Sequence, residues 1–205
     1  DGPLASYLVQ STGRILALVS SPSFDPNTLS SHDLAAQSAA WQRLRDDPNS
    51  PLTNRAISER YPPGSTFKVI TTVAALQNGL TEDEQLTALP AIPLPDSTAT
   101  LENYGGTPCG SGPTAPLREA FARSCNTAFV ELGLRIGVDA VRSAAGSFGF
   151  DSDPDPIPLQ VAESTVGPIP DRAALAMSSI GQKDVSVTPL QNAMVAATIA
   201  NDGVM

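Results

Sequence analysis

The sequence predicts a mixed α/β fold of the α+β type, and three observations support this prediction. Residues 6–10 and 14–20 are two short β-runs separated by a Ser-Thr-Gly turn, which is the pattern of a hairpin. The rest of the chain alternates between apolar segments with a helical period and loops rich in Pro and Gly. Because an isolated hairpin is marginally stable in water, we expect its sheet partners to lie beyond residue 205.

Helices are predicted where an apolar run is bounded by capping or helix-breaking residues. The predicted helices cover residues 34–44, 65–77, 117–123, 126–136 and 189–201, the last with Thr188 as N-cap and Pro189 at its first position. Prolines assign residues 21–27 and 151–170 to loops. Residues 90–116, rich in Pro, Gly and Ser, are predicted to form an extended excursion.

Composition excludes several classes of function. The 205 residues carry 21 acidic and 12 basic side chains, a net charge of −9, which argues against binding to a nucleic-acid backbone. A metal site is not expected, because His32 is the one histidine and Cys109 and Cys125 are too few for a four-ligand zinc site. The same scarcity of histidine weakens any mechanism that needs a Ser-His-Asp triad.

The first candidate catalytic motif is S-T-F-K at residues 65–68, which opens a predicted helix directly after Pro-Pro-Gly. Because positions i and i+3 of a helix share a face, the Ser65 hydroxyl and the Lys68 amine can meet. A serine is a poor nucleophile until a base takes its proton, and Lys68 can be that base only when it is neutral. Burial and the positive end of the helix dipole both lower the pKa of a lysine. The alternative is a Ser N-cap followed by a surface lysine.

The second candidate motif is S-C-N at residues 124–126, between two predicted helices. Ser124 could relay a proton between Lys68 and a leaving group, and Asn126 could hydrogen-bond both the lysine and a substrate amide. The alternative is an ordinary helix N-cap, a position where Ser and Asn are both common.

Taken together, the two motifs resemble those of the penicillin-recognising serine acyltransferases and β-lactamases, with Ser124 following Ser65 by 59 residues. The chain is most similar to class B penicillin-binding protein transpeptidase domains, and among them to the actinobacterial members. This resemblance implies a serine β-lactamase/transpeptidase-like fold, in which an antiparallel sheet is flanked by helices. The segments that carry it are residues 20–27 (SSPSFDPN), 60–68 (RYPPGSTFK), 124–129 (SCNTAF) and 181–203.

The resemblance implies roles for individual residues. Ser65 would attack the penultimate carbonyl of a peptidoglycan stem peptide ending in D-Ala-D-Ala, with Lys68 as base and Ser124 as proton donor to the departing D-Ala. Asn126 would bind the substrate amide, and Tyr104 is expected to line the cleft. An amine on a neighbouring stem peptide would resolve the acyl-enzyme, and β-lactam antibiotics would trap Ser65. No metal or organic cofactor is implied.

The family's location implies a domain on the extracytoplasmic face of the bacterial plasma membrane, anchored by an N-terminal helix that these residues do not include. Membrane proteins of cell division or elongation are the implied protein partners. In such an oxidising setting Cys109 and Cys125 either form a disulfide beside the cleft or remain inert buried thiols.

The sequence departs from the family pattern at the third motif, K-[ST]-G. No lysine follows Lys183, and Asp184 comes next rather than Thr-Gly. In relatives this motif lies on a sheet-edge strand that supplies one donor of the oxyanion hole and the site for the substrate carboxylate. Residues 1–205 are therefore expected to be the N-terminal two-thirds of a transpeptidase domain, inactive by themselves.

Two other classes of function stay open. The first keeps the chemistry but lets water resolve the acyl-enzyme, as in a serine β-lactamase or a D,D-carboxypeptidase. Class A β-lactamases need a glutamate for this step, and Glu163 lies 98 residues after Ser65. Its context, VAEST, lacks the Glu-x-x-x-Asn pattern, so we interpret Glu163 as a solvated loop acid. The second class is non-enzymatic, a β-lactam sensor or a scaffold for division proteins.

Overall fold

The computed structural model describes residues 4–9, 13–154 and 157–205 of the chain. Within these residues the chain forms two compact units. The first consists of the chain up to Tyr61, residues 157–162 and Thr188–Met205, and the second of residues 62–154 and Glu163–Val187. No helix in the described ranges is long and apolar enough to cross a bilayer.

The secondary structure of the described residues is mixed, and their strands pair in antiparallel fashion. The strands are β1 (Leu4–Val9), β2 (Ile15–Ser21), β3 (Gln85–Thr87), β4 (Ala91–Pro93), β5 (Thr100–Glu102) and β6 (Thr114–Pro116). The helices are α1 (Leu34–Asp46), α2 (Arg55–Ser58), α3 (Lys68–Gln77), α4 (Leu117–Ala122), α5 (Asn126–Ile136), α6 (Val138–Ser147), α7 (Arg172–Ser178) and α8 (Pro189–Ala200).

The first unit is built around the hairpin of β1 and β2, in which Leu4 pairs with Ser21 and Leu8 with Ala17. The hairpin predicted from the sequence is confirmed, although residues 10–12, which include most of the predicted Ser-Thr-Gly turn, lie outside the described residues. Helices α2 and α8 pack against β1. The hydrophobic hairpin therefore gains the packing partners that an isolated pair of strands lacks.

Helix α5 forms the centre of the second unit. Ala128, Phe129 and Leu132 are completely buried, and α3, α6, α7 and β3 pack around the helix. A helix with packing partners on several sides needs apolar residues around much of its circumference. Its first turn follows directly on the S-C-N motif, so the packing of α5 determines where that motif lies.

The sequence-based prediction is confirmed for α1, α4, α5 and α8 and needs refinement elsewhere. The helix predicted over residues 65–77 begins with a 3₁₀ turn, Gly64–Phe67, before α3. Residues 90–116 are extended as predicted, but they also contain β4, β5 and β6, of which β4 pairs with β5 and β6 with β3. Helices α2, α6 and α7 are not predicted. α2 and α7 are only four and seven residues long, and α6 begins after Gly137 without a capping side chain to mark its start.

The contact between α5 and α7 depends on the absence of a side chain at Gly133. A Cβ atom at this position would lie 1.8 Å from Ser179 Oγ and 2.5 Å from Ser179 Cβ. Ser179 is completely buried, and its hydroxyl donates a hydrogen bond of 2.7 Å to the carbonyl of Leu175. The serine therefore has little freedom to move away from a larger neighbour.

We expect Gly133→Ala to destabilise the protein by about 1–3 kcal/mol, because a methyl group overfills this contact. Gly146→Ala provides the matched control. Gly146 lies on the exposed side of α6 with no atom near the position of a Cβ, so alanine there should stabilise the helix by about 0.5–1 kcal/mol. Urea denaturation of both variants measures the difference, and equal effects would contradict the close packing described here.

Candidate active site

Ser65 lies at a sharp turn that delivers its hydroxyl to the surface. Pro62 and Pro63 fix the approach of the chain, and Gly64 follows with φ of +56°, in the left-handed region. The amide of Gly64 donates a hydrogen bond of 2.9 Å to the carbonyl of Gly181. Ser65 is exposed at the start of the 3₁₀ turn, so its hydroxyl is accessible to a substrate.

Gly181 is the second glycine that this turn requires. Its φ is +70°, and a Cβ there would lie 2.2 Å from the Gly64 carbonyl oxygen and 2.7 Å from Phe67 Cβ. Only glycine fits so close to another backbone. The sequence indicates Gly181 only as part of a segment that resembles the family. Its contact with Gly64 cannot be predicted, because the two glycines are far apart in the chain.

Lys68 is buried, with 1% of its surface exposed, and its ammonium nitrogen is the centre of the site. Nζ lies 3.2 Å from Ser65 Oγ, 3.1 Å from Ser124 Oγ, 2.7 Å from the Ser124 carbonyl oxygen and 2.7 Å from Asn126 Oδ1. The ring of Phe129 lies beneath it, with its centroid 5.5 Å away. The interpretation of Lys68 as a surface lysine is therefore wrong.

Burial lowers the pKa of Lys68 from its ordinary 10.5 to about 8, because the charged form loses hydration. An amine with this pKa exists partly in the neutral form near neutral pH. It then has a free lone pair that can accept the proton of a hydroxyl at hydrogen-bond distance. Ser65 and Ser124 both present such a hydroxyl.

The S-C-N motif forms the turn between α4 and α5. Ser124 has φ of +55°, a conformation that L-residues seldom adopt, and it directs both its carbonyl and its hydroxyl at Lys68. Cys125 occupies the N-cap of α5, and Asn126 is the first helical residue. The interpretation of Ser124 or Asn126 as an ordinary N-cap is therefore wrong.

Asn126 connects Lys68 to the neighbouring extended segment. While its Oδ1 accepts from Lys68, its Nδ2 donates a hydrogen bond of 3.0 Å to the carbonyl of Glu102, at the end of β5. A disulfide joins Cys125 to Cys109, with 5.9 Å between the two Cα atoms. The excursion after β5 is thus attached to the S-C-N turn both covalently and by hydrogen bonding.

The remaining candidate residues make none of the hydrogen bonds to Lys68 described above. Tyr104 is 96% exposed in a 3₁₀ turn, two residues after the Glu102 carbonyl that holds Asn126, and its place in the cleft stays a prediction. Glu163 is exposed on the loop that precedes α7. His32 is exposed in the first unit, whereas Ser65 and Lys68 belong to the second. In the described part of the chain no three potential metal-binding side chains come together.

This arrangement agrees with what the comparison with known families finds. Residues 6–205 match the model of the penicillin binding protein transpeptidase domain. The chain belongs to this family. The resemblance inferred from the two motifs is thereby confirmed, and with it the fold class.

Individual transpeptidase relatives cover the same region. The chain is 69% identical to a peptidoglycan D,D-transpeptidase PbpA of Mycolicibacterium smegmatis, matching all of this chain and 42% of that protein. It is 73% identical to PbpA of Mycobacterium tuberculosis, over 96% of this chain and 40% of that protein. The chain therefore spans about two-fifths of the length of these relatives. The predicted similarity to actinobacterial members of the family is confirmed.

A solved structure of this family contains a bound antibiotic. The penicillin G acyl-enzyme complex of penicillin-binding protein A from M. tuberculosis superposes with a TM-score of 0.93 and 71% identity. The match covers 98% of this chain and 46% of that one.

The ionisation of Lys68 should make stability depend on pH in a defined direction. Below about pH 8 the lysine is charged in both the folded and the unfolded state, so its contribution is constant. Between about pH 8 and 10.5 the unfolded chain keeps its proton after the folded protein has lost it, and stability therefore rises with pH. We expect wild type to gain about 3 kcal/mol relative to Lys68→Met over this window.

Urea denaturation of wild type and Lys68→Met at pH 7 and pH 10.5 measures this gain. Lys183→Met, which removes the exposed second lysine, provides the matched control for the loss of one amine. A stability difference between wild type and Lys68→Met that is the same at both pH values would show that Lys68 is not desolvated.

Proposed function

We propose that the protein containing this chain is a peptidoglycan D,D-transpeptidase that works through a serine acyl-enzyme. The observation that carries the proposal is the position of the exposed Ser65 hydroxyl 3.2 Å from a buried lysine amine. That amine also meets Ser124 Oγ at 3.1 Å and Asn126 Oδ1 at 2.7 Å. A nucleophile, a second hydroxyl and a side-chain amide thus converge on the nitrogen of the base, as acyl transfer requires.

In the first half of the reaction, Ser65 Oγ attacks the carbonyl carbon of the penultimate D-Ala while neutral Lys68 takes the hydroxyl proton. The C–O bond forms and the carbonyl oxygen becomes an oxyanion. When the tetrahedral intermediate collapses, the C–N bond breaks, and the proton passes from Lys68 through Ser124 Oγ to the leaving amine. Terminal D-Ala departs as a neutral amine, Lys68 is neutral again, and Ser65 carries the acyl group.

In the second half, an amine of a neighbouring stem peptide replaces D-Ala. It attacks the ester carbonyl and loses a proton to Lys68, again by way of Ser124, and the proton returns to Ser65 Oγ as the ester bond breaks. The product is a cross-link between two stem peptides. Asn126 has its Oδ1 on Lys68 and its Nδ2 on Glu102, so it keeps the base in place while it borders the substrate position.

A β-lactam offers the same amide carbonyl in a ring, so the amine released when the C–N bond breaks stays tethered to the acyl group and cannot depart. We propose that Ser65 is the residue that a β-lactam acylates. The penicillin G acyl-enzyme complex of the M. tuberculosis relative supports this proposal, because the two chains are 71% identical over the matched region.

We further propose that residues 1–205 are the N-terminal two-thirds of the transpeptidase domain, and that a K-[ST]-G strand completes the oxyanion hole and the carboxylate site. The domain would lie on the extracytoplasmic face of the plasma membrane, held by an N-terminal helix. The disulfide between Cys109 and Cys125 supports this location, because such bonds persist in oxidising compartments. Partnership with membrane proteins of division or elongation stays a prediction.

The proposal predicts that benzylpenicillin forms one covalent adduct with the full-length protein and that Ser65→Ala forms none. Alanine removes the attacking oxygen while the buried lysine stays in place. Ser143→Ala, which removes an exposed serine on α6, is the matched control and should be labelled like wild type. Intact-mass spectrometry over time, followed by digestion, measures the adduct and locates it.

Each outcome of that time course has a separate meaning. An adduct on the Ser65 peptide that lasts for hours supports a transpeptidase or a β-lactam sensor and excludes an efficient β-lactamase. An adduct that disappears while the drug is consumed would assign the site to a β-lactamase. Labelling that survives in Ser65→Ala would overturn the choice of nucleophile, and wild type without any adduct would favour a scaffold.

A second prediction concerns pH. Because only neutral Lys68 can accept the serine proton, the acylation rate should fall about tenfold for each pH unit below about 8 and level off above it. Stopped-flow measurement of acylation by a chromogenic cephalosporin between pH 5.5 and 9.5 gives this profile. Lys68→Arg keeps a positive charge but no usable base, so it should be inactive throughout. A flat wild-type profile would exclude Lys68 as the base.

A further inference from the structure

Asn103 is a buried amide outside the three family motifs, and it uses all of its hydrogen-bonding capacity. The residue is 6% exposed. Its Oδ1 accepts from the backbone amide of Thr127 at 3.0 Å, and it shares the proton of the Thr127 hydroxyl, at 3.3 Å, with the Leu89 carbonyl, which lies 3.0 Å from that hydroxyl. Its Nδ2 donates to the carbonyl oxygens of Leu89 and Thr107, both at 3.0 Å. A buried side chain with four partners is fixed in one orientation.

The first of these contacts replaces a missing helix cap. The first turn of α5 has unpaired amide groups that an N-cap side chain normally accepts. Cys125 holds the N-cap position, but its sulfur is bonded to Cys109 and makes no capping hydrogen bond. Oδ1 of Asn103 takes the Thr127 amide instead, although the two residues are 24 positions apart.

The other contacts hold the end of β5 in place. The Asn103 side chain joins the segment before β4 to the turn after β5, and its own backbone amide donates to the carbonyl of Pro90 at 2.9 Å. The carbonyl of Glu102, which precedes Asn103, is therefore held at a definite distance from the first turn of α5. That carbonyl accepts the hydrogen bond from Asn126 Nδ2.

The position of the Glu102 carbonyl decides which end of the Asn126 amide faces Lys68. A side-chain amide has an acceptor end and a donor end, and a backbone carbonyl can only accept. With Nδ2 committed to Glu102, Oδ1 must face Lys68 Nζ, where it lies at 2.7 Å. The opposite orientation of the Asn126 amide would place its N–H donors against the Lys68 amine and leave the Glu102 carbonyl without this hydrogen bond.

We propose that Asn103 is a positioning residue for the acylation step: it caps α5 and holds the Glu102 carbonyl, and thereby keeps Asn126 Oδ1 on Lys68. This inference rests on the proposed function, since it assigns Asn103 to the same reaction. Asn103 itself touches neither Ser65 nor Lys68 among its four side-chain contacts, so it acts through Asn126.

Two substitutions in the full-length protein test the proposal. Asn103→Ala removes the cap on α5 and the hydrogen bonds to Leu89 and Thr107. The acylation rate constant k2 for benzylpenicillin should therefore fall about tenfold to a hundredfold, as expected for a misplaced catalytic group. The dissociation constant of the noncovalent complex with benzylpenicillin should change little. Asn103→Asp keeps an acceptor for the Thr127 amide, so it should recover part of k2. Stopped-flow kinetics over a range of drug concentrations separates the two constants.

Thr188→Ala is the matched control for lost stability. Its hydroxyl caps α8 by accepting from the amide of Gln191 at 3.1 Å, in the first unit. The variant should lose stability through the loss of this helix cap but keep the wild-type k2. A fall of k2 in Thr188→Ala equal to that in Asn103→Ala would overturn the positioning role, as would equal k2 values for Asn103→Ala and Asn103→Asp.

Amide exchange provides a readout that does not use acylation. NMR-detected exchange of the Thr127 amide should become about tenfold faster in Asn103→Ala than in wild type, because one hydrogen bond is lost. Unchanged exchange would contradict the proposed cap. The two failures are distinguishable. If wild type forms no adduct but exchange of the Thr127 amide is faster in Asn103→Ala, the proposed function is contradicted and the cap is supported.

Discussion

The burial of one amine, Lys68 Nζ, is the constraint on which the rest of the site depends. A buried ammonium group loses its hydration, and the structure compensates with oxygen acceptors from Ser65, Ser124 and Asn126. The same burial lowers the pKa of Lys68 to about 8, which makes the neutral form accessible. One arrangement thus serves stability and reactivity together, because the burial and the acceptors that tolerate the charged amine also prepare it to lose its proton.

Several unusual backbone conformations follow from this constraint. Ser124 adopts φ of +55° to bring its carbonyl and its hydroxyl to the same nitrogen, and Gly64 and Gly181 meet backbone to backbone behind Ser65. The conformation of Ser124 costs free energy, because a positive φ is strained for a residue with a side chain, and the surrounding packing must supply that free energy. Helix α5 contributes much of it, since its buried residues fix the position of the turn that carries Ser124.

What the sequence could predict depends on how local each interaction is. Ser65 and Lys68 lie three residues apart at the start of a helix, so spacing alone suggests that they meet. Ser124 and Asn126 are joined to them by contacts across more than 50 residues, and only the resemblance to a family brought them into the site. Gly181 and Asn103 act through distant backbone groups. Such contacts cannot be predicted from the residue type or from the spacing of apolar residues in the sequence.

The same reasoning applies to the fold. Helices with a clear apolar pattern and defined ends, such as α5 and α8, are predictable from their own residues. The three-residue strands β3 to β6 are not, because a strand this short is stabilised by its partner and by the core beneath it rather than by its own sequence.

The disulfide between Cys109 and Cys125 has a topological consequence. It closes residues 109–125 into a covalent ring that contains β6 and α4. A single cut by a protease within this ring would leave the two halves of the protein linked, because the bond bridges the break. The nicked molecule would migrate as one chain until a reductant separates it. The strand β5, which holds Asn126, and the helix α5, which bears it, would therefore stay covalently connected after a cut inside the ring.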